Sequence, residues 1–370
     1  MVCHMPPPVH GAAVMGQRAA EAAMVHALFE VCVIPIRVNK ELGAQQRFSF
    51  GKLFSSLRLI VQVFRAVVAW RPAAMYFTAN LTGFAFWRDL IAVLLCRLAG
   101  VRRILHFHMK GMRAGYERSR LMRAGYRMMF HDADVVHLSQ RLYSDVEPVV
   151  SPRRFHVVAN GVHVASAPVA NEAAADEIQT VLFLSNLYES KGPLDLLEAS
   201  TRLAARGVAH KLIYAGAGAE AHVVQRLCKA DGHVKWVGPV RGEAKAALLR
   251  SADVFVFPTY YRFECQPLAV IEAMAYGKAI IASDEAAIPD LIHDGQSGLL
   301  VRARAIDELV NAMSLLLLHP GLRAKLGAAA RARYEECFTL EKFEQTLAGT
   351  LWRIAVAPSE RAPDALRRTG

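Results

Sequence analysis

The stretch that decides the fold runs from Asp253 to Val301 and reads DVFVFPTYYRFECQPLAVIEAMAYGKAIIASDEAAIPDLIHDGQSGLLV. Residues 253–257 form a short apolar run that stops at Pro258, the pattern of a strand buried on both faces. A loop follows, and Pro267 stands where a first helical position is expected. Residues 268–276 supply the apolar body of a helix that Gly277 ends, and 278–283 (KAIIAS) give a second buried strand. A strand–loop–helix–strand unit of this kind implies a parallel sheet in an α/β fold.

Two acids mark the unit. Glu264 lies in the loop ahead of the helix and Glu272 on the helix, a Glu-x7-Glu spacing. In open α/β sheets ligands settle beyond the carboxyl ends of the strands, where Glu264 falls. The amides after it, at residues 265–269, begin a helix and form a seat for phosphate. An acid beside an anion seat points to a ligand bearing hydroxyls as well as phosphate, because carboxylates accept hydrogen bonds from sugar hydroxyls. Taken alone, the same spacing also reads as two solvated acids.

The surrounding text separates these readings. Residues 257–283 and 288–301 resemble the donor-binding segment of the retaining glycosyltransferases of family 4, whose GT-B fold sets two Rossmann-like domains across a central cleft. Their pattern is an acid, seven residues, a second acid within EAMA-x-G-x-P, an apolar strand, and a DG-x-x-G turn; here Ala279 replaces the usual Pro. The resemblance implies that Glu272 holds the donor ribose and Glu264 the donor sugar. Cys265, Gln266, Pro267 and Leu268 would line the diphosphate seat.

At 370 residues with 54% apolar content, the chain can bury two domain cores and is not a disordered protein. Six cysteines are scattered without CxxC or metal-ligand spacing, which favours reduced thiols and a cytoplasmic setting. No cleavable signal is read at the start. The apolar stretches 53–70 and 84–98 carry Arg58, Gln62 and Arg65, or Arg88, Asp89 and Arg97, a charge density that argues against spanning a bilayer. Charge is uneven. Residues 1–160 hold 21 Lys and Arg against 9 Asp and Glu, a net +12; the remainder holds 23 against 24, a net −1. A basic face is expected on the N-terminal half.

That half resembles the family's acceptor domain. A Pro run and Gly11 precede a helix, like the opening loop whose Gly lets the backbone approach the donor phosphates; only residues 1–5 are available for the strand that should come before it. Residues 28–38 are strand-like with Pro35 marking a bend or an edge, and 102–108 (RRILHFH) form a strand whose last residue is His108. His108 matches the family histidine that approaches the donor sugar, and His106 is read as structural. Lys110, Arg113, Arg118, Arg120, Arg123 and Arg127 alternate with Met and Tyr at helical spacing, an element suited to an anionic membrane surface or an acidic acceptor. In the other half, Lys191 fits the family lysine on the diphosphate, whereas Asn186 stands where Arg is usual. The expected organisation is an acceptor domain over 1–163, a linker over 164–178, a nucleotide-sugar domain over 179–340, a helix over 341–356 crossing back, and a disordered tail over 357–370.

The function this implies is retaining transfer of a sugar, a hexose by analogy, from a nucleotide-sugar donor to a saccharide or lipid-linked acceptor in bacterial polysaccharide or glycoconjugate biosynthesis. Glu264 and His108 are the expected catalytic residues; Gly11, Asn186, Lys191, Cys265, Gln266, Pro267, Leu268 and Glu272 are the expected donor-binding ones. No metal site is read, and no cofactor or metal requirement is expected, since a cation and helix amides can balance the leaving diphosphate. The protein is expected in the cytoplasm, peripheral on the inner face of the cell membrane. A catalytically weak sugar-nucleotide-binding subunit is the alternative, kept open by Asn186. Nucleic acid is not expected as a partner, because no recognition helix, zinc module or RNP-like motif accompanies the charge.

Overall fold

The structure, a computed structural model, describes residues 1–36, 50–164, 178–230 and 232–356. The expected tail 357–370, and the expected linker apart from its end residues 164 and 178, lie outside the described residues. The first half is a parallel sheet of β1 (Val2–His4), β2 (Ile34–Ile36), β3 (Ala74–Thr78), β4 (Arg102–His106), β5 (Asp134–His137) and β6 (Phe155–Val157), in the order β2-β1-β3-β4-β5-β6. Its helices are α1 (Gly11–Glu21), α2 (Ala23–Leu28), α3 (Phe50–Trp70), α4 (Gly83–Leu98), α5 (Met112–Arg118), α6 (Arg120–Phe130) and α7 (Tyr143–Val146).

Residues 1–5 do contain a strand. It has three residues, all buried, and lies inside the sheet, with Val2 opposite both Ile34 and Phe77. Of the strand expected over 28–38 only Ile34–Ile36 is strand, since residue 28 ends α2 and residues 37–38 lie outside the described residues. Pro35, which cannot donate to a ladder, sits on this β2 at the end of the sheet order.

The second half is a parallel sheet of β7 (Gln179–Leu184), β8 (His210–Ala215), β9 (Val234–Trp236), β10 (Val254–Phe257), β11 (Ala279–Ser283) and β12 (Leu299–Val301), in the order β12-β11-β10-β7-β8-β9. Around it lie α8 (Pro193–Ala205), α9 (Ala221–Ala230), α10 (Gly242–Ser251), α11 (Leu268–Ala275), α12 (Ile288–Leu291), α13 (Ile306–Leu318) and α14 (Pro320–Cys337). All residues of β10 and β11 are buried, which is why their sequences read as unbroken apolar runs. Burying each such side chain stabilises the fold by about 1.5–3 kcal/mol. The last helix, α15 (Leu340–Val356), belongs to the first core: Phe343, Leu347, Leu351 and Ile354 pack with Cys3, Met15, Tyr76 and Ile104. This is the α/β, two-domain GT-B architecture.

Each sheet reverses its strand order once, between β1 and β3 in the first and between β7 and β10 in the second. Ligand crevices of doubly wound sheets open beyond the strand ends at such points.

Several local expectations need correction. Pro267 is the N-cap of α11 rather than its first residue, with φ −70° and ψ 123°; Gly277 ends that helix at φ +64°. Strand β4 stops at His106, so His108 lies two residues beyond it. The basic stretch is not one helix. It breaks at Ser119, whose backbone is extended and whose Oγ accepts from the Met122 amide at 3.2 Å. α5 and α6 meet so closely that a Cβ on Gly115 would lie 2.6 Å from the Tyr126 hydroxyl. The sequence reading did not anticipate α2, α7, α9, α12 or β12.

Candidate active site

The loops after β7 and β10 build the charged centre. The turn that holds Lys191 ends at Gly192, whose φ is +75° and where a Cβ would lie 2.2 Å from the Pro258 carbonyl oxygen. Only glycine satisfies both conditions, and it presses the turn against the loop after β10. Lys191 Nζ consequently sits 2.5 Å from Glu264 Oε2, which also accepts from Thr259 Oγ at 3.3 Å. The ammonium lies 4.4 Å from the Tyr261 ring centroid. Glu264 is buried, so its carboxylate depends on this partner. Lys191 has three donors, and one serves Glu264.

The next residues start α11. Burial, then the negative charge of Glu264, pushes the Cys265 thiol well up, which leaves it protonated and unsuited to nucleophilic work. Pro267 gives α11 no side-chain cap, so the Leu268 and Ala269 amides at the helix start have no capping partner and are free for an anion. One turn on, Glu272 accepts from Lys245 of α10 at 2.6 Å. It also faces Arg18 of α1, whose guanidinium burial pushes down while Glu272 pulls it up.

Across from this stand Gly11 and His108. Gly11 opens α1, and a Cβ there would meet only Leu268 Cδ1, at 3.9 Å. The fold itself therefore does not require glycine at that position, and the space faces the start of α11. Both ring nitrogens of His108 are buried without a hydrogen-bond partner among the described residues. Burial first, then the nearby charge of His10, lowers its pKa to about 4, while Asn160 pulls the other way without being aligned for a bond. His108 is thus neutral near pH 7, and an orphaned buried polar group of this kind calls for a partner. Its ring lies 4.3 Å from that of His106, which is held by the Tyr76 hydroxyl at 2.5 Å.

Behind the first sheet's reversal point lies a second polar network. His4 contacts Thr78 Oγ at 3.0 Å and Asn80 at 3.2 Å. Asn80 in turn donates twice to the fully buried Asp89, at 2.9 and 2.8 Å, and Arg88 donates to the same carboxylate at 2.7 Å. Burial pushes the Asp89 carboxyl up, and Arg88 opposes it.

The halves are bridged beside the cleft. The Asn160 amide donates to Gln266 Oε1 at 2.6 Å and Asn160 Nδ2 to the Gln266 carbonyl at 3.0 Å. Arg141 pairs with Asp290 at 2.8 Å and Lys110 with Glu285 at 3.4 Å. Leu138 and Leu142 bury against Cys265 and Ala287.

The structure therefore brings Lys191, Glu264, the α11 start and Gly11 together; His108 lies near Asn160, which bonds Gln266, without a hydrogen bond of its own to either. Gln266 Oε1 and its carbonyl both accept from Asn160 and Nε2 reaches the Leu138 carbonyl at 3.5 Å, so of its backbone groups the N–H remains for a donor. Asn186 is exposed on the loop after β7. Lys245, Arg18 and Asn160 escaped the sequence reading. Lys245 sits in an ordinary helical text (GEAKAALLRS), and only its contact with Glu272 distinguishes it from a solvated lysine. Among the described residues no group of three or more His, Cys, Asp or Glu is placed to hold a metal ion.

Residues 178–319 match the family described as "Glycosyl transferases group 1". A phosphatidyl-myo-inositol mannosyltransferase of Mycolicibacterium smegmatis is 36% identical over 179 residues, 47% of this chain and 45% of that protein. An alpha-maltose-1-phosphate synthase of the same species is 31% identical over 243 residues, 58% and 61% of the two chains. The chain thus spans about half the length of these relatives. Among solved structures, the sucrose-phosphate synthase of Thermosynechococcus elongatus superposes with a TM-score of 0.71 at 21% identity, over 95% of this chain and 94% of that one, which shows a shared fold.

Proposed function

We propose, from the premise that this chain is a GT-B protein of the glycosyl transferases group 1 type, that it transfers a sugar from a nucleotide-sugar donor to an acceptor hydroxyl with retention at the anomeric carbon. The observation that carries this reading is the Lys191–Glu264 pair beside the uncapped start of α11, facing the open space at Gly11. That arrangement supplies what a glycosyl diphosphate needs. The bond from the anomeric carbon to the diphosphate oxygen breaks, and a bond to the acceptor oxygen forms on the same face. The acceptor proton passes to the departing diphosphate.

Charge in the transition state is positive on the sugar and negative on the leaving group. Lys191 and the Leu268 and Ala269 amides meet the growing negative charge where it develops, and preorganised donors of this kind lower barriers most. The Glu264 carboxylate accepts from donor-sugar hydroxyls. Glu272, held by Lys245, accepts from the ribose. Neutral His108 offers one donor and one acceptor to the sugar from the opposite domain.

The acceptor is a saccharide or lipid-linked saccharide of bacterial glycoconjugate assembly. The +12 charge of residues 1–160 suits its presentation at the anionic inner face of the cell membrane. A second reading, a sugar-nucleotide-binding subunit of low activity, is favoured by Asn186 standing exposed where Arg is usual. A thermal-shift panel of nucleotides and nucleotide sugars tests the first step. A ligand at a hundred times its Kd adds roughly 2.7 kcal/mol. Anomeric NMR of the product from the stabilising donor then tests transfer. Inversion would overturn the mechanism, and stabilisation without transfer or donor hydrolysis would select the subunit reading.

A further inference from the structure

Helix α3 is seated on the first domain by one face only. Leu59, Val63 and Val67 are buried in the core. On the opposite side Phe54, Leu57, Val61, Phe64 and Val68 are 71%, 57%, 44%, 52% and 57% exposed. At about 100° per residue these five fall within an arc of about 80°, one stripe along a helix about 32 Å long. Arg58 and Arg65 are exposed on its flank, and residues 50–70 contain no Asp or Glu. Packed beside α3, α4 adds Ile91 and Leu98, 47% and 85% exposed. Single exposed leucines are ordinary, but an apolar stripe of this length marks a surface that meets protein or membrane.

We propose that α3 docks this protein flat on a bilayer containing anionic lipid, with the Phe54–Val68 stripe among the acyl chains and Arg58 and Arg65 at the headgroup phosphates. The proposal takes up the anionic-surface reading above and gives it a location. That location differs from the α5–α6 patch, where Arg118 and Arg120 are exposed but other cations are engaged. There Arg113 is already paired with Glu117 and Glu147, and Arg123 and Arg127 lie over the Tyr116 ring.

Two observations favour lipid over a protein partner. The stripe is flanked by cations with no acid among them, which complements an anionic headgroup layer. In addition, a mainly apolar cavity of about 320 Å³ opens under the last turns of α3, lined by Val63, Val67 and Trp70 with Phe29 and Leu351, and with Glu30 and Arg71 also in its wall. It falls in the lower part of the roughly 300–1,000 Å³ range of small-molecule sites and offers hydrocarbon a place to enter. Leu53–Trp70 is also long and apolar enough to cross a membrane, with a mean hydropathy of 1.5. Crossing would strip Leu59, Val63 and Val67 from the core, whereas lying flat keeps them there.

The test is cosedimentation of the full chain with phosphatidylcholine vesicles and with vesicles that also contain phosphatidylglycerol, at low and high salt. Wild type should bind the anionic vesicles and be loosened, not abolished, by salt. Leu57→Glu with Phe64→Glu should lower partitioning by roughly tenfold or more at an unchanged melting temperature; Phe64→Ser serves if that pair fails to fold. Arg58→Ala with Arg65→Ala should reduce binding several-fold and remove most of its salt dependence. Undiminished vesicle binding by the stripe variant, or no binding by wild type, would overturn the proposal. So would a lipid-free wild-type dimer that Phe64→Ser dissociates, which would assign the stripe to a second copy. Nucleotide-induced thermal shift on the same variants reports the donor site separately, so failure at the membrane is distinguishable from failure of the transfer reading.

Discussion

The second sheet and the first are both six-stranded, parallel and reversed once, yet their strand ends are equipped in opposite ways. In the second half each acid of the site has a cation in contact, Lys191 on Glu264 and Lys245 on Glu272, and the half is close to neutral. In the first half, which carries +12, three buried polar atoms at the cleft, both nitrogens of His108 and Oδ1 of Asn160, lack partners among the described residues. Asn160 N and Nδ2, Lys110 and Arg141 nevertheless bond across it, and in the second half Ser283 Oγ at the end of β11 is likewise unpartnered. The family match covers residues 178–319, within the paired side. On the proposed reading, a nucleoside diphosphate presents the same charges whatever receives the sugar, so a site for it can be prebuilt and internally satisfied. On the same reading, the unpartnered groups of the first half would be completed by what enters the cleft.

The largest expected effect tests the paired side. Glu264→Gln keeps the shape and removes the charge that faces Lys191. Turnover should fall by roughly 10²–10³, the cost of losing one preorganised group at a developing charge, while nucleotide affinity changes by a few-fold at most. Steady-state kinetics beside nucleotide titration measure both, and normal turnover would break the assignment.

Acid separates the halves next. Burial lowers His108 to about 4, and His4 and His137 of the same domain to about 3. Their folded pKa values lie below the ordinary 6.5, so the unfolded chain takes up protons first as pH falls. The stability they support is complete above pH 6.5 and is lost progressively down to about pH 4 for His108 and pH 3 for the others. At about 1.4 kcal/mol per pH unit, His108 alone contributes on the order of 3 kcal/mol. Hydrogen exchange at pH 5 should show the first sheet opening before the second, and His108→Asn should flatten the pH dependence. Simultaneous opening of both sheets would remove the contrast.

A smaller effect probes how completely the paired side is prebuilt. Glu272→Ala should weaken nucleotide binding by about 1.5–3 kcal/mol, the worth of hydrogen bonds to a charged group. Lys245→Ala should cost less, because Arg18 still faces Glu272. Unchanged affinity in Glu272→Ala would dissociate the helix acid from the ribose.

Legibility followed the same division. β10 and β11 could be read because buried parallel strands leave unbroken apolar runs between glycine and proline stops, and the Glu-x7-Glu text carried Glu264 and Glu272 with it; β12, three residues only partly buried, could not. What could not be read was set by contacts between distant segments. Lys245 depends on a contact across 27 residues, and the Asn160–Gln266 bridge on one across 106. The break at Ser119 has a local cause, an N-cap serine, but helical spacing on both sides of it hid the stop. For α3 the sequence showed an apolar helix, and only its seat on the sheet reveals which apolar residues were left outside.

The smallest expected effect bears on whether the orphaned side touches the donor at all. Gly11 is the first residue of α1 and carries no positive φ, and a Cβ there meets Leu268 Cδ1 at an ordinary 3.9 Å. Alanine at a helical position that it can adopt without strain stabilises a protein by about 0.4–1 kcal/mol, chiefly by restricting the unfolded chain. Gly11→Ala should therefore raise the melting temperature of the free protein slightly. If the donor diphosphate passes between α1 and the start of α11, the same methyl group occupies its path, and donor affinity should fall several-fold despite the gain in stability. Opposite signs in the two measurements would place the first domain in contact with the donor. A variant more stable and equally avid would confine donor binding to the paired half and leave Gly11 to the packing of α1.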